Sequence, residues 1–244
     1  MTFEDLSKSF EALLGSLLEW LDTCRHPLAH CDEVLSLGSD KEKISKSLRL
    51  WLVIFLVTVV LQFPLLKTAG IEWSDAGFHL PYFLALTMIF ILNGVTLHLG
   101  MRIYGVQSNI ADTLGAYTTL VGVYGPFFTL VLYPESVLFF ATLKSTKSQG
   151  LPFTSTVSLI LKNHTVASRA ASFQGVLLTV LALPAQVGVF AALTVMARKL
   201  STTYSAPKSR ILASFGFSFP VLALPLLLGL GLFANFIAYA FIKP

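Results

Sequence analysis

Five apolar stretches of the chain hold no Asp, Glu, Lys or Arg: Trp51–Leu66, Phe78–Leu99, Thr113–Tyr133, Phe173–Ala197 and Ile211–Ile242. Proton relays, ion-coupled carriers and intramembrane proteases place a carboxylate, a His pair or a metal cluster at membrane depth. Here Asp112 and Glu135 stand only at the edges of the third stretch. Cysteine is equally scarce. Cys24 and Cys31 are the only two, too few for a disulfide framework, and both are expected as reduced thiols on the cytoplasmic side. A basic run ahead of the first residues is missing as well, since Met1–Asp5 is acidic, which argues against a secretory signal.

Catalytic signatures are absent too. The sequence has neither a Gly-rich loop closed by Lys-Ser or Lys-Thr nor a His-Glu-x-x-His zinc motif. Gly216–Phe219 resembles half of a nucleophile turn but lacks the closing Gly and a His base at matching depth. No acidic cluster is suited to Mg²⁺. Cys24, His26, His30 and Cys31 are all zinc-binding types, yet their spacing does not match paired ligands and Pro27 interrupts a shared helix, so neither a metal nor another cofactor is expected. The chain therefore reads as non-enzymatic.

What is present is hydrophobic: 55% of residues are apolar and 12% charged, where a soluble domain carries about 25% charged. Mean hydropathy is +0.74. Each apolar stretch is about long enough to cross a hydrocarbon core of roughly 30 Å, which takes about 20 helical residues. The expected fold is an all-α membrane protein with about five transmembrane helices. Residues 1–47 form a cytoplasmic amphipathic helix and linker, and residues 48–244 the membrane domain. The net charge of +4 does not mark a nucleic-acid binder, because the basic residues sit in short runs beside apolar spans.

Thr2–Cys24 reads as an amphipathic helix with Leu6, Phe10, Leu13, Leu14, Leu17, Leu18 and Leu21 at helical spacing and Thr2 as its N-cap. Its polar face is acidic, unlike a helix drawn to anionic lipid. The stripe is expected to pack on the protein's own helices, on another subunit or on a partner, and Phe10, Leu14, Leu17 and Leu21 are the candidate docking residues. Pro27 and Ser36–Asp40 read as a turn-rich linker.

Lys41, Lys43, Lys46 and Arg49 before the first span, with Arg198 and Lys199 after the fourth, are candidate contacts to anionic lipid. By the positive-inside rule they put the N-terminus in the cytoplasm and the C-terminus outside. The loop Pro134–Ser172 resists this scheme, being basic yet assigned outside. It is expected at the interface on the short apolar footings Val137–Leu143 and Val157–Leu161, with a re-entrant segment as the alternative. Asn163–Thr165 matches a glycosylation acceptor.

Candidate intramembrane polar residues are Asn93, His98, Gln186 and Asn235. Pro64, Pro126, Pro184, Pro220 and Pro225 fall in the spans and are expected to kink them. Gly115, Gly122, Gly125, Gly229 and Gly231 are read as helix-packing positions. Spans two and three share an outline with four and five, as in a parallel hairpin repeat: Met101–Arg102 corresponds to Ala197–Arg198, and Pro126 to Pro220.

The stretch Ile103–Ile110, with Gly105 and Ser108, followed by Leu114 and Tyr124–Gly125–Pro126, resembles the Yip family of membrane proteins, named for binding Ypt/Rab GTPases and having many bacterial relatives. The resemblance covers roughly residues 48–242 and implies a scaffold in membrane organisation or trafficking, with a bacterial inner membrane as the expected location. Partners would then be membrane lipids and a protein partner or a second copy, with no nucleic acid. A transporter or channel subunit for an uncharged or lipid-like substrate, lined by Asn93, Tyr117, Gln186 and Asn235, is the rival reading.

Overall fold

The structure is a computed structural model that describes residues 3–163 and 173–242; side-chain surroundings are described for these except 3–10, 13, 160–163, 173–175, 178–179 and 181–182. Thr2, Arg169, Lys243 and the glycosylation triplet beyond Asn163 lie outside the described residues, as do the side chains of Phe10 and Lys162.

The protein is all-helical, with no strand among the described residues. The helices are α1 (Phe3–Arg25), α2 (Pro27–Ser36), α3 (Asp40–Thr68), α4 (Ala76–Ile103), α5 (Ile110–Leu120), α6 (Gly125–Val131), α7 (Tyr133–Ser148), α8 (Phe153–Asn163), α9 (Phe173–Thr203), α10 (Lys208–Ser218) and α11 (Leu224–Phe241). Among the described residues, four stretches are long and apolar enough to cross a membrane: Asp40–Thr68, Ala76–Ile103, Ile110–Val131 and Lys208–Phe241. They make the chain an integral membrane protein. The fifth expected span, Phe173–Ala197, falls within α9, a 31-residue helix whose side chains are described in part.

Two expectations about connections need correction. Pro27 does not belong to a linker. It opens α2 at the first helical turn, where its missing N–H costs nothing, and the linker shrinks to Leu37–Ser39. The segment from Glu135 to Asn163 is helical rather than a loop. It folds as α7 and α8, which contain both apolar footings. Phe140, Leu143 and Thr146 recur at helical spacing and are buried, a period that its many Ser, Thr and Lys residues obscure in the sequence.

The chain forms two compact units. The first comprises Met1–Val57, Phe90–Pro126 and Ala191–Pro225. One of its cores gathers Met101, Ala116, Tyr117, Met196, Leu200 and Ile211. Another gathers Trp20, Trp51, Ile54 and Val123, with Trp51 edge-on to Phe90 at 4.3 Å between ring centroids. The second unit comprises Thr58–Ile89, Phe127–Phe190 and Leu226–Pro244, and its core holds Leu66, Ile71, Phe78, Tyr82, Leu143 and Ala238.

Within the second unit, the buried hydroxyls of Thr146 and Thr156 join α7 to α8 at 3.1 Å. Lys147 Nζ donates to the Ala240 carbonyl at 2.8 Å, at the end of α11, and lies 5.7 Å from the Tyr239 ring centre. A cation there meets the negative end of the helix dipole. Part of the puzzling positive charge after span three thus serves a helix terminus.

In the first unit two hairpins follow one pattern. Gly105 (φ 72°) ends α4, with the Val106 N–H donating to Met101 and the Gly105 N–H to Arg102. Ser205 (φ 50°) ends α9 in the same way, with Ala206 donating to Ser201 and Ser205 to Thr202. These left-handed residues satisfy carbonyls that a helix end leaves open. Each cap leads to an 11-residue helix, α5 or α10, and then to one non-α turn. That turn is 3₁₀ at Gly122–Tyr124 and π at Phe219–Ala223. Each then leads to a helix with Pro at its second position, Pro126 or Pro225. The two hairpins share this order of elements, in a register that differs from the expected one: Tyr104–Gly105 matches Tyr204–Ser205, and Pro126 matches Pro225, not Pro220. Pro220 sits inside the π turn, where the Leu224 N–H reaches back five residues to the Phe219 carbonyl.

Glycine also divides differently than expected. A Cβ on Gly115 would come within 2.6 Å of Val34, and one on Gly125 within 3.0 Å of Phe90, so both are close-packing sites. Gly229 and Gly231 have open space around them among the described residues. An equally tight approach lies elsewhere: a Cβ on Gly100 would be 2.6 Å from Ser218 Cβ and 2.9 Å from the Ser214 carbonyl oxygen.

Candidate functional site

α1 is fixed to the first unit by its inner face. The Trp20 indole N–H donates to the Val123 carbonyl at 2.9 Å, and Leu17 and Cys24 pack beside it. The Tyr124 hydroxyl donates to the Cys24 carbonyl at 3.3 Å. Val123 and Tyr124 offer these groups because the 3₁₀ turn at Gly122–Tyr124 interrupts the helix there. A buried indole with its N–H satisfied is a strong anchor, worth about 3–5 kcal/mol on truncation. The outer face of α1 keeps Leu14, Leu18 and Leu21 at 48%, 58% and 41% exposure. Of the expected docking stripe, Leu14 and Leu21 point outward while Leu17 turns in. Leu18 takes its place, since residues 14, 18 and 21 share one helical face.

The basic residues also separate. Lys43 Nζ sits 2.7 Å from Asp112 Oδ1, with the two side chains only 13% and 12% exposed. Lys46 pairs with Glu33, and Lys199 with Asp32. These three lysines, expected to meet anionic lipid, instead hold carboxylates of the chain itself. Lys41, Arg49 and Arg198 are exposed.

Around Asp112 lies a compact polar knot. The Tyr204 hydroxyl is 3.3 Å from Asp112 Oδ2 and 3.1 Å from the Asn109 carbonyl, and it accepts from the Asn109 N–H at 3.1 Å. Asn109 is the N-cap of α5, its Oδ1 accepting from the Ala111 N–H at 2.9 Å while its Nδ2 donates to Asp40 at 2.8 Å. Burial pushes the Tyr204 hydroxyl up to about 12, so it stays protonated at any physiological pH. The knot ties α3, α5 and the end of α9 at one place. The sequence shows Asp112 as a lone acid at the edge of a span and gives no sign that Lys43 and Tyr204 converge on it.

A second cluster joins α1 to α2. His30 Nε2 lies 2.9 Å from Asp22 Oδ2, and its Nδ1 lies 3.5 Å from Glu33. The hydrogen bond from His30 holds Asp22 below the usual carboxylate range, and Lys46 does the same for Glu33. Cys24 and Cys31 are both free, and burial pushes the Cys24 thiol up to about 11. No group of His, Cys, Asp and Glu suited to a metal occurs among the described residues.

The candidate intramembrane polar residues divide between the two units. Asn93 lies on α4, and His98 Nδ1 meets the Ser108 hydroxyl at 3.1 Å, bracing the turn after α4. Both lie in the first unit. Gln186 is exposed on α9, while Asn235 lines a cavity in the second unit. Gln62, not singled out in the sequence, has a buried side-chain carbonyl with no hydrogen-bond partner among the described residues. Ser218 does not sit on a nucleophile turn. It is fully buried in α10, and its hydroxyl donates to the Phe215 carbonyl at 3.3 Å.

Comparison of the chain with protein-family models, with curated proteins and with solved structures gives no match.

Proposed function

We propose that this chain is a non-enzymatic, multi-pass membrane protein that acts as an interaction subunit and holds a partner protein on the outer face of α1. The observation carrying this reading is the division of that helix into two apolar faces. Trp20 fixes the inner face, leaving Leu14, Leu18 and Leu21 presented on a rigid support. An anchored helix loses little freedom when a partner seats on it. The acidic side chain of Glu11 flanks the stripe and is exposed, so the fitting partner is a helix with its own apolar stripe and basic flanking residues. The resemblance to the Yip family points the same way. Exposed Lys41, Arg49 and Arg198 support a cytoplasmic placement of α1 in a bacterial inner membrane.

The test places a photo-crosslinking residue at Leu18 or at Leu17 in the full chain in its native membrane. Position 18 is expected to give one protein adduct of fixed mass, weakened by Leu14→Ser with Leu21→Ser. Position 17 is expected to give none. Adducts confined to lipid would overturn the reading, and adducts with the chain itself would make α1 a self-association surface instead.

A further inference from the structure

The second unit contains a cavity of about 300 Å³ that the proposed docking role does not use. Glu135, Ser136, Phe139 and Phe140 line it from successive turns of α7, Tyr82 lines it from α4, and Asn235 from α11. Residues 135, 136, 139 and 140 share a face because helical neighbours recur every three to four positions. The volume sits at the small end of the range for ligand sites, roughly 300–1,000 Å³.

The wall chemistry is one-sided. It offers one carboxylate, one amide and three aromatic side chains, while no Lys, Arg or His lines it among the described residues. Phe139 stands edge-on to Phe140 at 5.6 Å, and Tyr82 stacks on Phe78 at 4.8 Å, so packing holds these rings in place. The Ser136 hydroxyl donates to the Leu132 carbonyl at 3.1 Å, which leaves its lone pairs as acceptors. Acceptors and aromatic faces together favour a cation with apolar substituents, and an anion would find no counter-charge. A carboxylate offers about four acceptor positions, so an ammonium adds to whatever else Glu135 binds.

We infer that this cavity binds an alkylammonium group, with Glu135 as counter-ion, Asn235 as a polar contact, and Tyr82, Phe139 and Phe140 as its aromatic walls. The group would come either from the headgroup of an ethanolamine or choline lipid or from a free amine. Glu135 follows the span Ile110–Val131 by four residues, which sets it at headgroup depth rather than in the hydrocarbon.

Binding to the full-length protein in mild detergent is measured by calorimetry. The probes are free choline, free ethanolamine, phosphatidylcholine and phosphatidylethanolamine in mixed micelles, 3,3-dimethylbutanol as the uncharged carbon isostere of choline, and phosphatidylglycerol as the lipid without an amine. At least one ammonium probe is expected to bind ten-fold or more tighter than its uncharged or amine-free counterpart. Glu135→Gln should weaken it by a similar factor, and Phe139→Leu by a smaller one. If only the lipids bind, the site reads a headgroup; if the free amines bind as well, it reads a soluble amine. Equal binding of choline and its isostere together with equal binding of all the lipids would overturn the inference, as would unchanged affinity in Glu135→Gln. Should that variant fail to fold, the isostere comparison on the unaltered chain and Phe139→Leu still decide.

Discussion

Lys43 and Asp112, separated by 69 positions in the chain, meet at 2.7 Å where little solvent reaches them. A pair so placed stabilises less by its own attraction than by the cost of leaving either charge alone. Lys43→Met or Asp112→Leu alone should each destabilise the protein by about 3 kcal/mol. The double substitution should recover most of that loss. The check is a double-mutant cycle read from the midpoint of unfolding in a denaturing detergent.

Glycine at position 100 lets α4 and α10 touch. Gly100→Ala forces its methyl against the Ser214 carbonyl oxygen and Ser218, and should cost about 1–3 kcal/mol. Gly216 also lies in α10 but has open space around it. Gly216→Ala should therefore be neutral or stabilising by up to about 1 kcal/mol, since only the helix propensity changes. Thermal melting of the two variants side by side separates packing from propensity.

Alkaline pH should loosen the polar knot. The Tyr204 hydroxyl is raised from an ordinary value of 10.0 to about 12, first by burial, so the folded state favours the neutral form. Its contribution is complete below pH 10 and is lost as pH rises from 10 through 12. Tyr204→Phe removes this titration. The difference in unfolding midpoint between the unaltered chain and Tyr204→Phe should therefore be constant up to pH 10 and shrink above it.

Much of the architecture is written in local pattern. Runs without charge mark the helices, and the spacing of Leu14, Leu17, Leu18 and Leu21 marks α1. What stayed hidden is pairing at long range. The repeat at Leu14–Leu21 does not say which half of the stripe faces inward, because that depends on Trp20 finding a carbonyl freed by a break in another helix. Lys43, Lys46 and Lys199 look like a positively charged fringe until their carboxylates are placed. The helices after Glu135 escaped notice because Ser, Thr and Lys dilute an apolar face of ordinary period. The register of the two hairpins was misjudged because the likeness resides in backbone caps and turns, where Gly105 and Ser205 do the same work with different side chains.

The seat of Trp20 lies 103 residues further along the chain. At translation rates of about 5–20 residues per second, roughly 5–20 s pass between the synthesis of the indole and that of its acceptor at Val123. For that interval the Trp20 indole N–H has no acceptor, and α1 has only the preceding parts of its seat, α2 and the start of α3, to pack against. The nascent helix is then a natural client for a chaperone or the insertion machinery, and its docking dates the arrival of the third span.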